Sequence, residues 1–98
     1  MIVAVIRHVV LFELDPNHDP AELREVIAGL RGLNLPGTIS YTIGEDLGLL
    51  RGTWSLAIVA DFADAEAYRN YNEDPEHDRL RTRLAAMTAQ AARVQFVC

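Results

Sequence analysis

Residues 2–14, IVAVIRHVVLFEL, decide the fold of this chain because they form a long run rich in Val and Ile. β-Branched residues favour a pleated strand. Alternation along the strand places His8 and Val10 on one face and Val9 and Leu11 on the other, so its middle is apolar on both sides. The sequence therefore predicts a first strand with something packed against each face.

A helix should follow this strand. Asp19 is the expected N-cap, Pro20 suits the first helical position, Glu22 would complete a capping box, and Gly32 would end the helix. An apolar stripe at spacings i, i+3, i+4 and i+7 predicts the face that packs on the sheet: Leu23, Val26, Ile27 and Leu30.

Two more strands are predicted after the Pro36–Gly37 turn. Residues 38–45 alternate, with Ile39, Tyr41 and Ile43 on one face. Residues 54–62 form the next strand. One side of it carries the larger apolar residues: Trp54, Leu56, Ile58, Ala60 and Phe62.

The second helical element should be broken in two. Asp64 caps a short helix, and Asp74 with Pro75 begins a longer one that extends to about Ala91. The last strand is expected from Val94 to Cys98. Residues at helical spacing predict the buried side of the longer helix: His77, Leu80, Leu84, Met87 and Ala91.

The resulting order is βαββαβ, an α+β fold with a four-stranded antiparallel sheet in one domain spanning residues 1–98. Two helices cover one face of such a sheet, so the other face must meet a second subunit or remain wet. Half of the 98 residues are hydrophobic, which is an ordinary globular composition, but so short a chain can still need a partner surface to cover its apolar residues. We therefore expect a homodimer that associates through the open sheet face.

Charge and cysteine content narrow the partners and the compartment. The net charge of −5, without a Lys/Arg cluster, argues against nucleic-acid or anionic-membrane binding. No segment has the ~20 apolar residues of a membrane span, and the opening apolar run is too short for a signal peptide. The single cysteine, Cys98, fits a reducing compartment. We expect a cytoplasmic protein.

Candidate chemistry rests on scattered residues, since phosphate-binding glycine motifs, CxxC, HExxH and serine nucleophile motifs are absent from the sequence. His77 lies in a helix first turn on the apolar face, and His8 is in phase with Val10, so both can point into one interior pocket. Each could equally be a core histidine held by a backbone carbonyl. His18 should be solvated, and no histidine spacing predicts a metal site.

Two longer segments carry a family resemblance. Residues 6–12, IRHVVLF, and residues 71–77, YNEDPEH, together with Gly44 to Gly48 and residues 57–62, AIVADF, resemble the stress-responsive A/B barrel (Dabb) domain family over nearly the whole chain. The resemblance implies a ferredoxin-like fold whose sheets pair face to face in a dimeric α/β barrel.

The resemblance also implies candidate site residues. A plant member of the family is a polyketide cyclase in which a Tyr and a His carry out the acid/base steps of an aldol condensation without metal or cofactor. Those positions match Tyr71 and His77, and His8 matches a pocket-lining histidine. The cyclase has a His where this chain has Asp74, so its substrate does not transfer.

Three functions remain open at this point. The first is a cofactor-independent enzyme or binding protein for a small, mostly apolar oxygenated molecule, which requires a cavity between His8, Tyr71 and His77. The second is a non-catalytic dimeric module of the stress response in which the histidines only complete the core. A third, a cofactor-free oxygenase of the same superfamily, would use Tyr41 and Trp54 to line the substrate site.

Overall fold

The computed structural model describes residues 4–98, and within them the chain alternates strands and helices in the predicted order. The elements are β1 (Ile6–Leu14), α1 (Pro20–Arg31), β2 (Thr38–Glu45), β3 (Leu56–Phe62), α2 (Ala65–Glu73), α3 (Pro75–Ala86) and β4 (Thr88–Val97). The strands form one antiparallel sheet in the order β2-β3-β1-β4. The predicted ferredoxin-like α+β fold is confirmed. Residues 2 and 3, where the predicted first strand begins, lie outside the described residues.

Helix α1 begins and ends where the sequence predicted. The Asp19 carboxylate accepts a hydrogen bond from the Ala21 N–H, and Gly32 is the C-cap. Glu22 does not complete a capping box, because its carboxylate accepts a hydrogen bond from Arg83 Nε of α3 at 3.3 Å. That contact links α1 to α3.

The break between α2 and α3 is also confirmed. The Asp64 carboxylate caps α2 by accepting from the Ala67 N–H at 2.8 Å. Asp74 is both the C-cap of α2 and the N-cap of α3, and its carboxylate accepts from the His77 N–H at 2.9 Å. This cap fixes His77 in the first turn of α3.

The predicted boundary between α3 and β4 is wrong. Helix α3 ends at Ala86 rather than near Ala91, and β4 begins at Thr88 rather than at Val94. The alanines of residues 89–92 suit a helix locally. However, in the folded chain they pair with β1, in a register that places Ala91 opposite Phe12. Tertiary hydrogen bonding along β1 therefore overrides the helical propensity.

Two side chains do not share the face predicted for them. A register irregularity between Thr38 and Ser40 starts the regular alternation of β2 after Ile39, which is 57 % exposed. Strand β3 begins at Leu56, so Trp54 precedes it and is only partly buried. The period-two pattern fails at both positions because it applies only inside a regular ladder.

The helices cover one face of the sheet, which we call the inner face. Its buried residues pack on the apolar stripes of the helices, and Phe62 and Ala60 are fully buried there. Close packing is visible at Gly29, where a Cβ atom would lie 2.7 Å from Leu80 Cδ2. Position 37 requires glycine for two reasons: its φ is +85°, and a Cβ atom there would clash with Ala67.

The opposite face, which we call the outer face, has an apolar centre and a charged edge. Val9 lies between Val59 of β3 and Val94 of β4, and Val94 is 56 % exposed. The neighbouring Arg7 donates two hydrogen bonds to the Asp61 carboxylate, at 2.8 and 2.9 Å. No helix of the described chain covers this face.

Candidate functional site

A cavity of about 330 Å³ lies on the inner face, between β1, β4 and the helices α2 and α3. His8, Tyr71 and His77 all line it, so the cavity that the binding hypothesis requires is present. Its volume falls at the lower end of the range of about 300–1,000 Å³ that is usual for small-molecule sites. The remaining walls are mostly apolar and include Val10, Phe12, Leu30, Ile58 and Leu84.

His77 projects from the first turn of α3 and is 5 % exposed. Its ring lies against the Tyr71 ring, with centroids 3.9 Å apart and the planes inclined by 39°. Its Nδ1 atom is buried and makes no hydrogen bond within residues 4–98. A buried ring nitrogen without a partner is uncommon and gives this imidazole unused hydrogen-bonding capacity.

The Tyr71 hydroxyl forms a hydrogen bond with the hydroxyl of a second tyrosine, Tyr41. The Tyr41 and Tyr71 oxygen atoms are 2.9 Å apart, and either hydroxyl can be the donor. Burial raises the pKa of both phenols, most strongly that of Tyr71, which also feels the Tyr41 hydroxyl. Tyr71 is therefore protonated at neutral pH and can donate a hydrogen bond, whereas it cannot serve as a base.

His8 projects from β1 and is 6 % exposed. Its Nδ1 lies 2.9 Å from the amide nitrogen of Gln95, its neighbour across the β1–β4 ladder. Because an amide nitrogen can only donate, Nδ1 accepts this bond and Nε2 carries the proton of the neutral ring. The Tyr68 ring packs at a centroid distance of 5.3 Å and holds the imidazole against the cavity.

Both imidazoles are held in the neutral form. Burial, followed by the charge of Arg93, lowers the pKa of His8 below its ordinary value of 6.5. Burial and Arg81 likewise lower the pKa of His77, against the opposing influence of the Asn72 backbone, Asp74 and Asp78. At neutral pH the His77 ring can therefore accept a proton, whereas the Nδ1 lone pair of His8 is already used in the bond from Gln95.

The arrangement combines a neutral imidazole and a protonated phenol on one apolar cavity. A neutral His can remove a proton from a ligand, and a buried phenol can donate a hydrogen bond to the oxygen on which negative charge develops. The contact between the two rings places these groups on the same part of the wall. Such a pair can perform acid/base chemistry next to a carbonyl group.

The structure brings together some predicted site residues and separates others. His8, Tyr71 and His77 share the cavity, whereas Tyr41 does not line it and forms a hydrogen bond with the Tyr71 hydroxyl. Trp54 lies elsewhere, in a depression beside Leu11 and Ala57 of the outer face. Since β3 starts after Trp54, the strand alternation does not carry its side chain inward.

Several cavity residues were missed by the sequence interpretation. Arg93 lines the cavity from β4, and Arg81 and Asn72 line it from α3 and α2. Gln95 projects from β4 on the same face as His8 but supports that ring rather than lining the cavity. The period-two spacing of Arg93 and Gln95 would have indicated that both side chains lie on one face of a strand. Placing the start of β4 at Val94 left Arg93 outside the predicted strand.

Two searches of the described chain gave negative findings. Among residues 4–98, no three His, Cys, Asp or Glu side chains lie close enough to hold a metal ion. Within the same range, no helix is sufficiently long and apolar to cross a membrane.

Comparison with solved structures identifies a bacterial relative along the whole chain. A dimeric ferredoxin-like protein of unknown function from Thermobifida fusca is 33 % identical, with a TM-score of 0.90, over 98 % of this chain and 92 % of that one. Among curated proteins, none matches this chain.

More distant structural relatives include two proteins with stated activities. The hydroxynitrile lyase from Passiflora edulis is 16 % identical, with a TM-score of 0.82, over 96 % of this chain and 93 % of the lyase. SnoaB, a cofactor-independent oxygenase from Streptomyces nogalater, is 21 % identical, with a TM-score of 0.75, over 96 % of this chain and 92 % of that one. At these identities the likeness establishes the fold alone.

The family model described as "Stress responsive A/B Barrel Domain" (Dabb) matches residues 6–98, nearly the entire chain. Both segments that carry the resemblance in the sequence, residues 6–12 and 71–77, lie inside the matched range. The chain therefore belongs to the stress-responsive A/B barrel domain family.

Proposed function

We propose that this protein is a cofactor-independent acid/base enzyme of the polyketide-cyclase kind, acting on a small, mostly apolar oxygenated molecule. The observation that carries the proposal is the inner cavity, where the neutral imidazole of His77 lies against the protonated phenol of Tyr71. His77 is the proposed general base and Tyr71 the proposed hydrogen-bond donor. His8 offers its Nε2–H as a second donor to the ligand.

The proposed reaction begins at a carbon next to a ketone. His77 removes a proton from this carbon, and the electron pair of the broken C–H bond moves to the carbonyl oxygen, which accepts a hydrogen bond from Tyr71. The enolate carbon then attacks a second carbonyl of the same molecule. The protonated His77 returns its proton to the new alkoxide, so the ring closes without a net change in protons.

Tyr41 is assigned a supporting role rather than contact with the substrate. When the Tyr41 hydroxyl donates to the Tyr71 oxygen, the Tyr71 proton is free to point toward the ligand. Tyr41→Phe should therefore weaken the reaction, although Tyr41 itself does not line the cavity.

The test is deuterium exchange at the acidic carbon of a ketone probe. We would follow 1-phenyl-1,3-butanedione and 1-phenyl-1-butanone in D₂O by NMR. Wild type should accelerate the exchange of at least one of the two, and His77→Asn should reduce the acceleration by about 10²–10⁴-fold. Exchange that is independent of His77 in a folded variant would contradict the assignment of the base.

The alternative is a non-catalytic dimeric module of the stress response, with the same residues serving as core. It is favoured by the internal pairing of Tyr71 with Tyr41 and of His8 with Gln95, which leaves fewer groups for a ligand. In that case His77→Ala should lower the thermal midpoint, and no ketone probe should raise the midpoint of wild type. A probe-induced rise that requires His77 would favour the enzyme.

We further propose that two copies associate through their outer faces. The support is the row Val59, Val9 and Val94 at the centre of a face that no helix of the described residues covers, together with Phe96, which is 46 % exposed. The relative from Thermobifida fusca is described as dimeric.

We also propose a cytoplasmic location, which rests on the single cysteine and the acidic composition.

A further inference from the structure

Among residues 4–98, two arginines and no acidic residue line the inner cavity. Arg81 and Arg93 are both exposed, and the other polar lining residues are neutral. The whole chain, by contrast, has 14 acidic against 9 basic residues. The cavity is thus a cationic site on an acidic protein.

The two arginines differ in how much of their charge is already satisfied. Arg81 donates to the Asp78 carboxylate at 2.6 Å and to the Asn72 side-chain oxygen at 2.8 Å. Arg93 donates no hydrogen bond and forms no ion pair within residues 4–98. The guanidinium of Arg93 is therefore free to bind a ligand.

The position of Arg93 relates it to the proposed chemistry. Arg93 and Gln95 alternate along β4 on the face that carries His8, and the Arg93 charge lies near enough to influence the His8 imidazole. His77 and Tyr71 line the same cavity from the helix side. A single small molecule can therefore contact Arg93 at one end and the acid/base pair at the other.

From this arrangement we infer that the ligand of the cavity is a small oxo acid, with an apolar body, a ketone at Tyr71 and His77, and a carboxylate bound by Arg93. The inference rests on the proposed function and names its substrate class. A planar guanidinium presents two parallel N–H donors that match the two oxygens of a carboxylate. The apolar walls suit an aromatic or aliphatic body between the two polar ends.

A matched pair of probes tests the carboxylate. 3-Benzoylpropionate and its primary amide share the aromatic ring, the ketone and nearly the same size, and they differ in charge. Calorimetry at low ionic strength should show that wild type binds the acid about tenfold more tightly than the amide. Arg93→Gln should abolish the difference by weakening binding of the acid alone, and Arg93→Lys should restore part of it.

Arg69→Gln is the matched control, because Arg69 is exposed on α2 and does not line the cavity. This substitution changes the net charge by the same amount as Arg93→Gln. This variant should keep the wild-type preference for the acid. If Arg93→Gln and Arg69→Gln both lose the preference for the acid over the amide, the preference arises from overall charge and the inference is overturned. Tighter binding of the corresponding phosphonate than of the carboxylate would overturn the choice of an oxo acid.

The outcome also separates this inference from the function on which it rests. If acid and amide bind equally well and Arg93→Gln changes neither, the carboxylate site is wrong while the ketone site stands. If neither probe binds and ketone exchange is independent of His77, the proposed function fails and the oxo acid fails with it.

Discussion

The two faces of the sheet are built from the same strands but have opposite environments. Along β3, Phe62 and Ala60 are fully buried beneath the helices, whereas Val59 and Asp61 on the outer face remain partly exposed. The inner face encloses a cavity with buried histidines and tyrosines. The outer face is apolar at its centre and has a salt bridge at its edge, between Arg7 and Asp61. One face is suited to chemistry and the other to association.

The difference follows from what each face must bury. The helices supply enough apolar surface to close most of the inner face, and the remaining space is lined by polar groups from four elements, β1, α2, α3 and β4. On the outer face, exposed valines and Phe96 are left for another surface to cover. Substitutions on the two faces should therefore give different phenotypes.

The largest effect is expected in the inner core. Phe62→Ala removes a side chain that is 0 % exposed and leaves a cavity, so it should lower the free energy of unfolding by about 3–5 kcal/mol. Val59→Ala, on the outer face of the same strand, is the matched variant and should cost about 1 kcal/mol. Urea denaturation followed by circular dichroism measures both, and equal losses would break the distinction between the faces.

An intermediate effect is expected at the centre of the outer face. Val9→Glu would place a charge on each side of the proposed dimer interface, where desolvation is costly. We expect the dissociation constant of the dimer to rise at least 100-fold, which corresponds to about 2.8 kcal/mol. Light scattering should then report 10.9 kDa monomers at micromolar concentration.

Ala28→Glu is the control for this experiment, because Ala28 is exposed on α1 and the change in charge is the same. It should leave a species of about twice the monomer mass. A Val9→Glu protein that stays dimeric would exclude the outer face as the interface.

The smallest effect is expected in the pH dependence of stability. The folded protein lowers the pKa of His8 and His77 below 6.5, so the unfolded chain binds protons more readily. The stabilising contribution is complete above pH 6.5 and is lost as the pH falls below it. Urea unfolding between pH 7.5 and 5.5 should give a declining free energy, with a shallower decline in His8→Gln and in His77→Gln. An identical decline in all three proteins would sink this assignment.

Much of the inner face follows from local sequence patterns. The phase of His8 with Val10 in β1, and the position of His77 one turn after the Asp74 cap, are properties of a few neighbouring residues. Alternation and helical spacing are sufficient to aim these side chains inward. The same reasoning, with the segments that resemble the family, identified Tyr71.

The parts that the sequence interpretation missed depend on pairing between distant segments. Residues 88–93 form a strand only because β1 offers a free edge, and this pairing turns Arg93 and Gln95 toward His8. The Tyr41–Tyr71 hydroxyl pair joins β2 to α2, residues that are 30 positions apart. The period-two spacing of Arg93 and Gln95 is a weak local pattern, and the Tyr41–Tyr71 pair has none.

The sequence by itself determined the order of the elements, the helix caps and the inward direction of His8 and His77, because these depend on short-range periodicity and on the hydrogen bonds of single turns. Only the tertiary structure decided where α3 gives way to β4, that Trp54 lies apart from the cavity, and that Arg93, which has no ion-pair partner within residues 4–98, lines the cavity together with His8. These outcomes depend on the competition between local propensity and long-range strand pairing. That competition is resolved when the sheet forms.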